Sequence, residues 1–206
     1  MPTRVKLGAV LAIVSALATG AAGASRLPAM LSDDGGALAA RGGLAEGRRL
    51  SAGIPPSLAA GPFHPVVGDF DYGVGDGRFG VFRGGHRHEG QDVFTNAGTP
   101  LVAVTEGVVV EEAGARSALS GGRGNYVAIY SQADDRTYVY LHMQHRSPLR
   151  QGDAVRAGER VGAVGCTGSC YGTHLHFEVR LGRGTEAKPI DPLPLLRRWP
   201  QSNASG

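Results

Sequence analysis

Residues 173–180 read THLHFEVR, with His174, His176, Glu178 and Arg180 alternating with Leu175, Phe177 and Val179. That period of two belongs to a β-strand. In a strand, residues i and i+2 project from one face about 7 Å apart, so His174 and His176 leave the same surface and Glu178 continues it. Two imidazoles so placed fit either an ordinary polar face or neighbouring members of one site.

Runs of the same kind precede it. PLVAVTEGVVVEEA (100–113), GNYVAIYS (124–131), RTYVYLHM (136–143) and ERVGAVG (159–165) are rich in β-branched and aromatic residues and are separated by Gly, Asp, Asn and Ser. The spacing predicts an antiparallel all-β domain. SQADDRT (131–137) has the composition of a hairpin connection. Strict alternation along RTYVYLHM places Tyr138, Tyr140 and His142 on one face and Val139, Leu141 and Met143 on the other. Beyond Arg180 the chain turns Pro-rich, and LPLLRRW (193–199) is expected to form one helical turn that docks Leu195, Leu196 or Trp199 on the sheet.

The 206 residues, 42% hydrophobic and 19% charged, suit one globular domain, and 33 glycines favour a turn-rich β architecture over a bundle. The N-terminus has the order of an export signal. Arg4 and Lys6 lie before the apolar LGAVLAIVSALATG, and Ala22-Gly23-Ala24 supplies a small-residue cleavage site, so residues 1–24 are expected to be a signal peptide, with an uncleaved anchor as the alternative. Removing those two charges from the formal +3 leaves +1, too little to indicate a nucleic-acid partner. Residues 25–62, rich in Ala, Gly, Ser and Arg and without an aromatic anchor, are expected to be a flexible linker or prosegment. The domain is expected at 63–199 and a frayed tail at 200–206.

Chemistry concentrates in five residues: His88 and Asp92 of HRHEGQD, His142, His174 and His176. A catalytic zinc site takes three protein ligands and keeps a position open. His88 and Asp92 can supply two from a turn and one histidine of HLH the third, leaving a free imidazole beside the metal for proton transfer. Position 92 is Asp rather than His, which removes the helical H-E-x-x-H arrangement.

The order H-x-x-x-D, then Y-x-H, then H-x-H-F-E resembles the lysostaphin-like zinc metalloendopeptidases, which cut peptide bonds in bacterial peptidoglycan. RFGVFRGGHRHEGQDVFTNAGTPLVAVTEGVVV resembles that family's opening block and GDAVRAGERVGAVGCTGSCYGTHLHFEVR its closing block, and the likeness runs from about Phe63 to Leu196. The resemblance implies a compact antiparallel β-sheet domain of barrel-sandwich type, with one zinc ion held by His88, Asp92 and His176 and with His142 and His174 as the catalytic pair. It implies an extracytoplasmic enzyme, secreted or held at the cell envelope, acting as a monomer on peptidoglycan peptides.

Around this set, Glu178 is placed to accept a hydrogen bond from a ligand imidazole, or to stand as an ordinary carboxylate. Arg83 and Asn125 match residues common in the family, with structural or substrate-positioning roles, and Tyr140 either lines the groove or packs. His86 lacks the spacing of His88 to Asp92 and reads as a groove-lining or surface residue, while His64 and His145 sit in turn-like contexts. Cys166 and Cys170 directly precede the histidine strand. Given an export signal, a disulfide between them is expected; a zinc site through both cysteines and His174 is the rival. A non-catalytic regulator of another wall hydrolase is the alternative function, though its usual mark, loss of ligands, is missing here. A cupin-type barrel also uses H-x-H, but the glycine-rich blocks fit it poorly.

Overall fold

The computed structural model describes residues 61–202. The expected export signal, residues 25–60 of the expected linker and residues 203–206 lie outside the described residues. The elements, in chain order, are β1 (Asp71–Tyr72), β2 (Phe82–Arg83), β3 (His86–Arg87), β4 (Gln91–Phe94), β5 (Pro100–Val102), β6 (Gly107–Ala113), β7 (Asn125–Ser131), β8 (Arg136–Met143), β9 (Ala154–Val155), β10 (Arg160–Ala163), β11 (His174–Leu181), β12 (Lys188–Ile190) and α1 (Leu193–Leu196). Each β-rich run read from the sequence contributes at least one strand.

Antiparallel pairing orders the main sheet β1-β4-β11-β8-β7-β6-β9, with β12 beside the far end of β11. Two ribbons, β5 with β10 and β2 with β3, complete the all-β fold. The site is built on β11, third in this order and paired on both sides. His176 is opposite Asp92 of β4 on one side and Leu141 of β8 on the other, whereas Phe177 is opposite Gln91 and Tyr140. Paired residues share a face, so this register alone separates a histidine face from an apolar one.

The apolar face carries the main core. Tyr138, Tyr140, Leu175, Phe177 and Val179 pack with Leu101 of β5, Val161 of β10 and Leu196 of α1. Complete burial of a side chain such as Phe177 contributes about 1.5–3 kcal/mol. Tyr140 belongs to this core: its hydroxyl accepts a hydrogen bond from the Val104 N–H at 2.9 Å, and burial pushes its phenol far up. A groove-lining role for Tyr140 is therefore ruled out by its face. Leu196 docks through the short helix, and Trp199 packs edge-on against Tyr138 with ring centroids 6.0 Å apart. Backbone pairing continues to Gln201, which bridges His64 and exchanges side-chain hydrogen bonds with Gly68.

On the opposite face a smaller cluster of Ala113, Tyr126, Ala128, Val139 and Leu141 adjoins the histidines. Strict alternation along β8 would set His142 with Tyr140, in the main core. Instead the β7–β8 register shifts between Asn125 and Val127, and His142 takes a positive φ of 60°. The shift leaves Leu141 and His142 on the histidine side and returns Met143 to the main core. The expected face of His142 is corrected by this bulge, the common device for re-aiming a side chain within a ladder. Among the described residues no helix is long and apolar enough to cross a membrane.

Candidate metal centre and its histidine neighbours

His88 follows the β3 strand and Asp92 lies on β4, so the short turn between them brings both side chains against His176 of β11. His88 Nε2 is 3.0 Å from Asp92 Oδ1, His176 Nδ1 is 3.1 Å from the same oxygen, and the two ring nitrogens are 2.8 Å apart. All three residues are buried. Gly90 makes the approach possible, since a Cβ there would lie 2.5 Å from the Phe177 carbonyl and 2.7 Å from His176 Nε2.

The remaining ring nitrogens fix the tautomers. His88 Nδ1–H donates to the Arg78 carbonyl at 2.8 Å, and His176 Nε2–H donates to Glu178 Oε1 at 3.1 Å. Each ring, when neutral, then turns a lone pair toward the Asp92 carboxylate. Two lone pairs and an anionic oxygen at such separations call for a cation among them. Two imidazole nitrogens with one carboxylate oxygen are also a donor set that zinc accepts.

The electrostatics agree. Burial opposes the charge of Asp92, but with a proton in place of a cation between rings and carboxylate, hydrogen bonds from His176 and His88 outweigh it and hold the carboxyl far below the usual range. Burial likewise opposes a charge on His176, yet Asp92 and Glu178 lift that ring to about 8. The pocket favours positive charge. Glu178, pushed up by burial, is pulled down to about 2 by His176 and Arg180. Arg180 donates to Glu178 Oε2 at 2.6 Å, to the Ala187 carbonyl at 3.0 Å and to Glu89. Arg83 donates to the outer oxygen of Asp92 at 2.6 Å and to the Asp76 carbonyl, so it acts on the ligand carboxylate.

His142 and His174 stand beside this triad. Their ring centroids are 5.1 Å apart, and His142 lies 5.8 Å from His176. His174 Nε2 is 3.5 Å from Asp92 Oδ1. His142 Nδ1–H donates to the Thr167 carbonyl and His174 Nδ1–H to the Gly172 carbonyl, each at 2.8 Å, so in the neutral rings Nε2 carries no proton. Burial lowers His142 to about 4 and also lowers His174, so both rings are neutral bases near pH 7. Asn125 reaches none of these rings; its amide donates to the Met143 and Gln144 carbonyls and its oxygen accepts from Ala115 N–H, fixing the turn that follows His142.

All five residues singled out by sequence thus meet in one place. His86 and His145 are exposed, while His64 is buried far from the triad in sequence, stacked on Phe70 at 4.0 Å. Cys166 and Cys170 form a disulfide, which consumes the thiols that a cysteine-ligated zinc site would need. Sequence reading missed Arg180, although the same period of two extends to it. It also missed the carbonyls of Arg78, Thr167 and Gly172, which no side-chain identity announces.

The description "peptidase family M23" fits the family model that matches residues 86–192. Lysostaphin of Staphylococcus simulans is 29% identical over 140 residues, covering 68% of this chain and 27% of lysostaphin. The solved catalytic domain of the antimicrobial peptidase lysostaphin aligns with a TM-score of 0.53 at 30% identity, over 62% of this chain and 92% of that domain. Peptidoglycan DD-endopeptidase ShyC of Vibrio cholerae is 32% identical over 133 residues, 64% of this chain and 24% of ShyC. A solved zinc-containing peptidase from Vibrio cholerae aligns with a TM-score of 0.50 at 26% identity, over 65% of this chain and 39% of that one. The chain spans about a quarter of the length of the curated relatives it matches.

Proposed function

The chain belongs to peptidase family M23, and from that premise we propose that it is an exported, zinc-dependent endopeptidase that hydrolyses peptide bonds in peptidoglycan stem peptides or cross-links. The observation that carries the reading is the convergence of His88 Nε2, Asp92 Oδ1 and His176 Nδ1 beside two neutral imidazoles. The names of the relatives support the substrate class, since ShyC is a peptidoglycan endopeptidase.

In this reading His88, Asp92 and His176 hold the zinc ion. Zinc held there supplies Lewis acidity, polarising the scissile carbonyl and easing the ionisation of water. The chain's own residues do the rest. Arg83 and Glu178 orient the carboxylate and the His176 ring. His142 and His174 present Nε2 lone pairs, held in place by their Nδ1–H bonds to backbone carbonyls. One Nε2 takes a proton from the attacking water and returns it to the departing amine nitrogen, ending neutral as it began. An Nε2–H of the pair, once protonated, faces the oxygen on which negative charge develops.

The test is incubation of purified peptidoglycan with the zinc-loaded and the chelated full chain, with released fragments read by mass spectrometry. Cleaved peptide fragments in the zinc-loaded sample alone are expected. Identical fragment profiles from the two samples would overturn the proposal.

A further inference from the structure

We infer that the Cys166–Cys170 loop is a positioning device for His142 and His174, so that the disulfide governs turnover without governing metal binding. The inference rests on the proposed function for the meaning of turnover, and on geometry for the rest. Thr167, inside the loop, supplies the carbonyl that fixes His142; Gly172, two residues past the bridge, supplies the one that fixes His174. Cys170 Sγ itself lies 3.8 Å from His174 Nδ1. The two rings that lack a place in the metal triad therefore take their orientation from one seven-residue segment, 166–172.

One end of that segment is anchored firmly. The Thr167 hydroxyl donates to the Met143 carbonyl at 2.8 Å and accepts from Asn125 N–H at 2.9 Å, and Ser169 N–H donates to the Gly122 carbonyl at 2.8 Å. Gly124 lets the chain pass, because a Cβ there would lie 2.2 Å from the Thr167 carbonyl oxygen. The other end is different. Tyr171 and Gly172 are exposed, and the bridge shortens the path from their segment back to the anchored Thr167. Cutting the bridge frees the Gly172 carbonyl to wander from His174 and loosens the strap over His142.

The metal triad does not draw on this loop. His88 is oriented by Arg78, His176 by Glu178 and Asp92 by Arg83. Loosening the loop should therefore misplace the two free imidazoles and spare the ligands. Misplacement of a reacting group by about 1 Å costs on the order of 100-fold in rate. Reduction breaks the S–S bond with two electrons and two protons; a water-soluble phosphine supplies the electrons and becomes the phosphine oxide, taking its oxygen from water.

The experiment compares the zinc-loaded full chain in its oxidised and phosphine-reduced forms, with Cys166→Ser, Cys170→Ser as the reagent-free counterpart. Thr167→Val removes the hydroxyl anchor, and Thr167→Ser restores it. We expect kcat to fall about 10- to 100-fold on reduction and in Thr167→Val, with KM and bound zinc within about twofold of the oxidised protein. Thr167→Ser should recover most of the rate. Long-range proton–nitrogen NMR spectra at one fixed pH should show a single Nδ1–H form for His142 and His174 when oxidised, and averaged ring signals when reduced. Unchanged imidazole spectra on reduction, or zinc lost in step with rate, would overturn the inference. If the oxidised protein cleaves no peptidoglycan, the proposed function fails and the spectra alone decide this point.

Discussion

His142 meets His174 edge to face, ring centroids 5.1 Å apart, because the backbone at His142 turns through a φ of 60° where its strand bulges. A non-glycine residue at such a φ is uncommon and persists where its surroundings over-determine it. Here the His142 N–H donates to the Arg123 carbonyl at 3.0 Å and its ring to Thr167, so the conformation is held from both sides. The bulge delivers to the metal face an imidazole that the ladder would otherwise bury in the core.

Because His142 stands beside the triad and contributes no atom to it, His142→Ala should retain zinc and lose hydrolysis. A proton-transfer group of this kind contributes about 100- to 10,000-fold in rate. Metal analysis alongside muropeptide release checks it. Turnover at the wild-type rate would remove His142 from the mechanism.

Glu178 accepts from the ring nitrogen of His176 that faces away from the triad, and Arg180 secures its other oxygen. Glu178→Ala frees the ring to rotate and to change tautomer. Zinc affinity should drop about 10- to 100-fold, as for other carboxylates that orient ligand histidines. Glu178→Gln, which can still accept that hydrogen bond through its amide oxygen, should lose less. Competition against a chelating dye separates the two, and equal affinities for wild type and Glu178→Ala would refute the orienting role.

Much of this was legible in the amino-acid order, for reasons that differ residue by residue. Alternation in THLHFEVR located the strand and put His174, His176 and Glu178 on one face, because period two survives in a central strand with two unlike faces. The same rule misplaced His142, since a one-residue register shift inverts every assignment beyond it. Tyr140 followed the rule and is buried in the core, away from the groove where it was a candidate. What orients the site histidines is largely main chain: the carbonyls of Arg78, Thr167 and Gly172 belong to turns, where side-chain identity does not report the direction of a C=O. Lysostaphin-like motifs pointed to the five site residues and the fold, and the distances add which atoms of His88, Asp92 and His176 converge.

Gly90 lies where the chain passes under His176, and Gly90→Ala should damage the metal centre without replacing a ligand residue. Its Cβ would meet the Phe177 carbonyl at 2.5 Å and His176 Nε2 at 2.7 Å, the first of them main chain in β11. Overpacking of this kind typically costs about 1–3 kcal/mol. The displaced ring would also lose its alignment with Glu178. We therefore expect a lower melting temperature together with weaker zinc binding. A variant that matched wild type in both would show that the site yields more easily than its packing indicates.

His64 offers a test of stability away from the metal. Its ring is buried, stacked on Phe70 at 4.0 Å, with Nε2 3.3 Å from the Tyr72 hydroxyl. Burial lowers it to about 4, against 6.5 for a free histidine, with the Val66 carbonyl opposing the shift. Between those values the unfolded chain binds a proton that the folded chain refuses, so stability falls as pH falls from about 6.5 through 4. Over that window the loss is on the order of 3 kcal/mol from this ring alone. His64→Phe keeps an aromatic ring beside Phe70 and cannot take up the proton. The difference in unfolding free energy between wild type and His64→Phe should therefore shift by about 3 kcal/mol in the variant's favour from pH 7.5 to pH 4. Urea titrations of both proteins at several pH values measure it, and contributions from the site histidines cancel in the difference. A difference that stays constant with pH would mean that His64 takes up its proton in the folded state as readily as in the unfolded one.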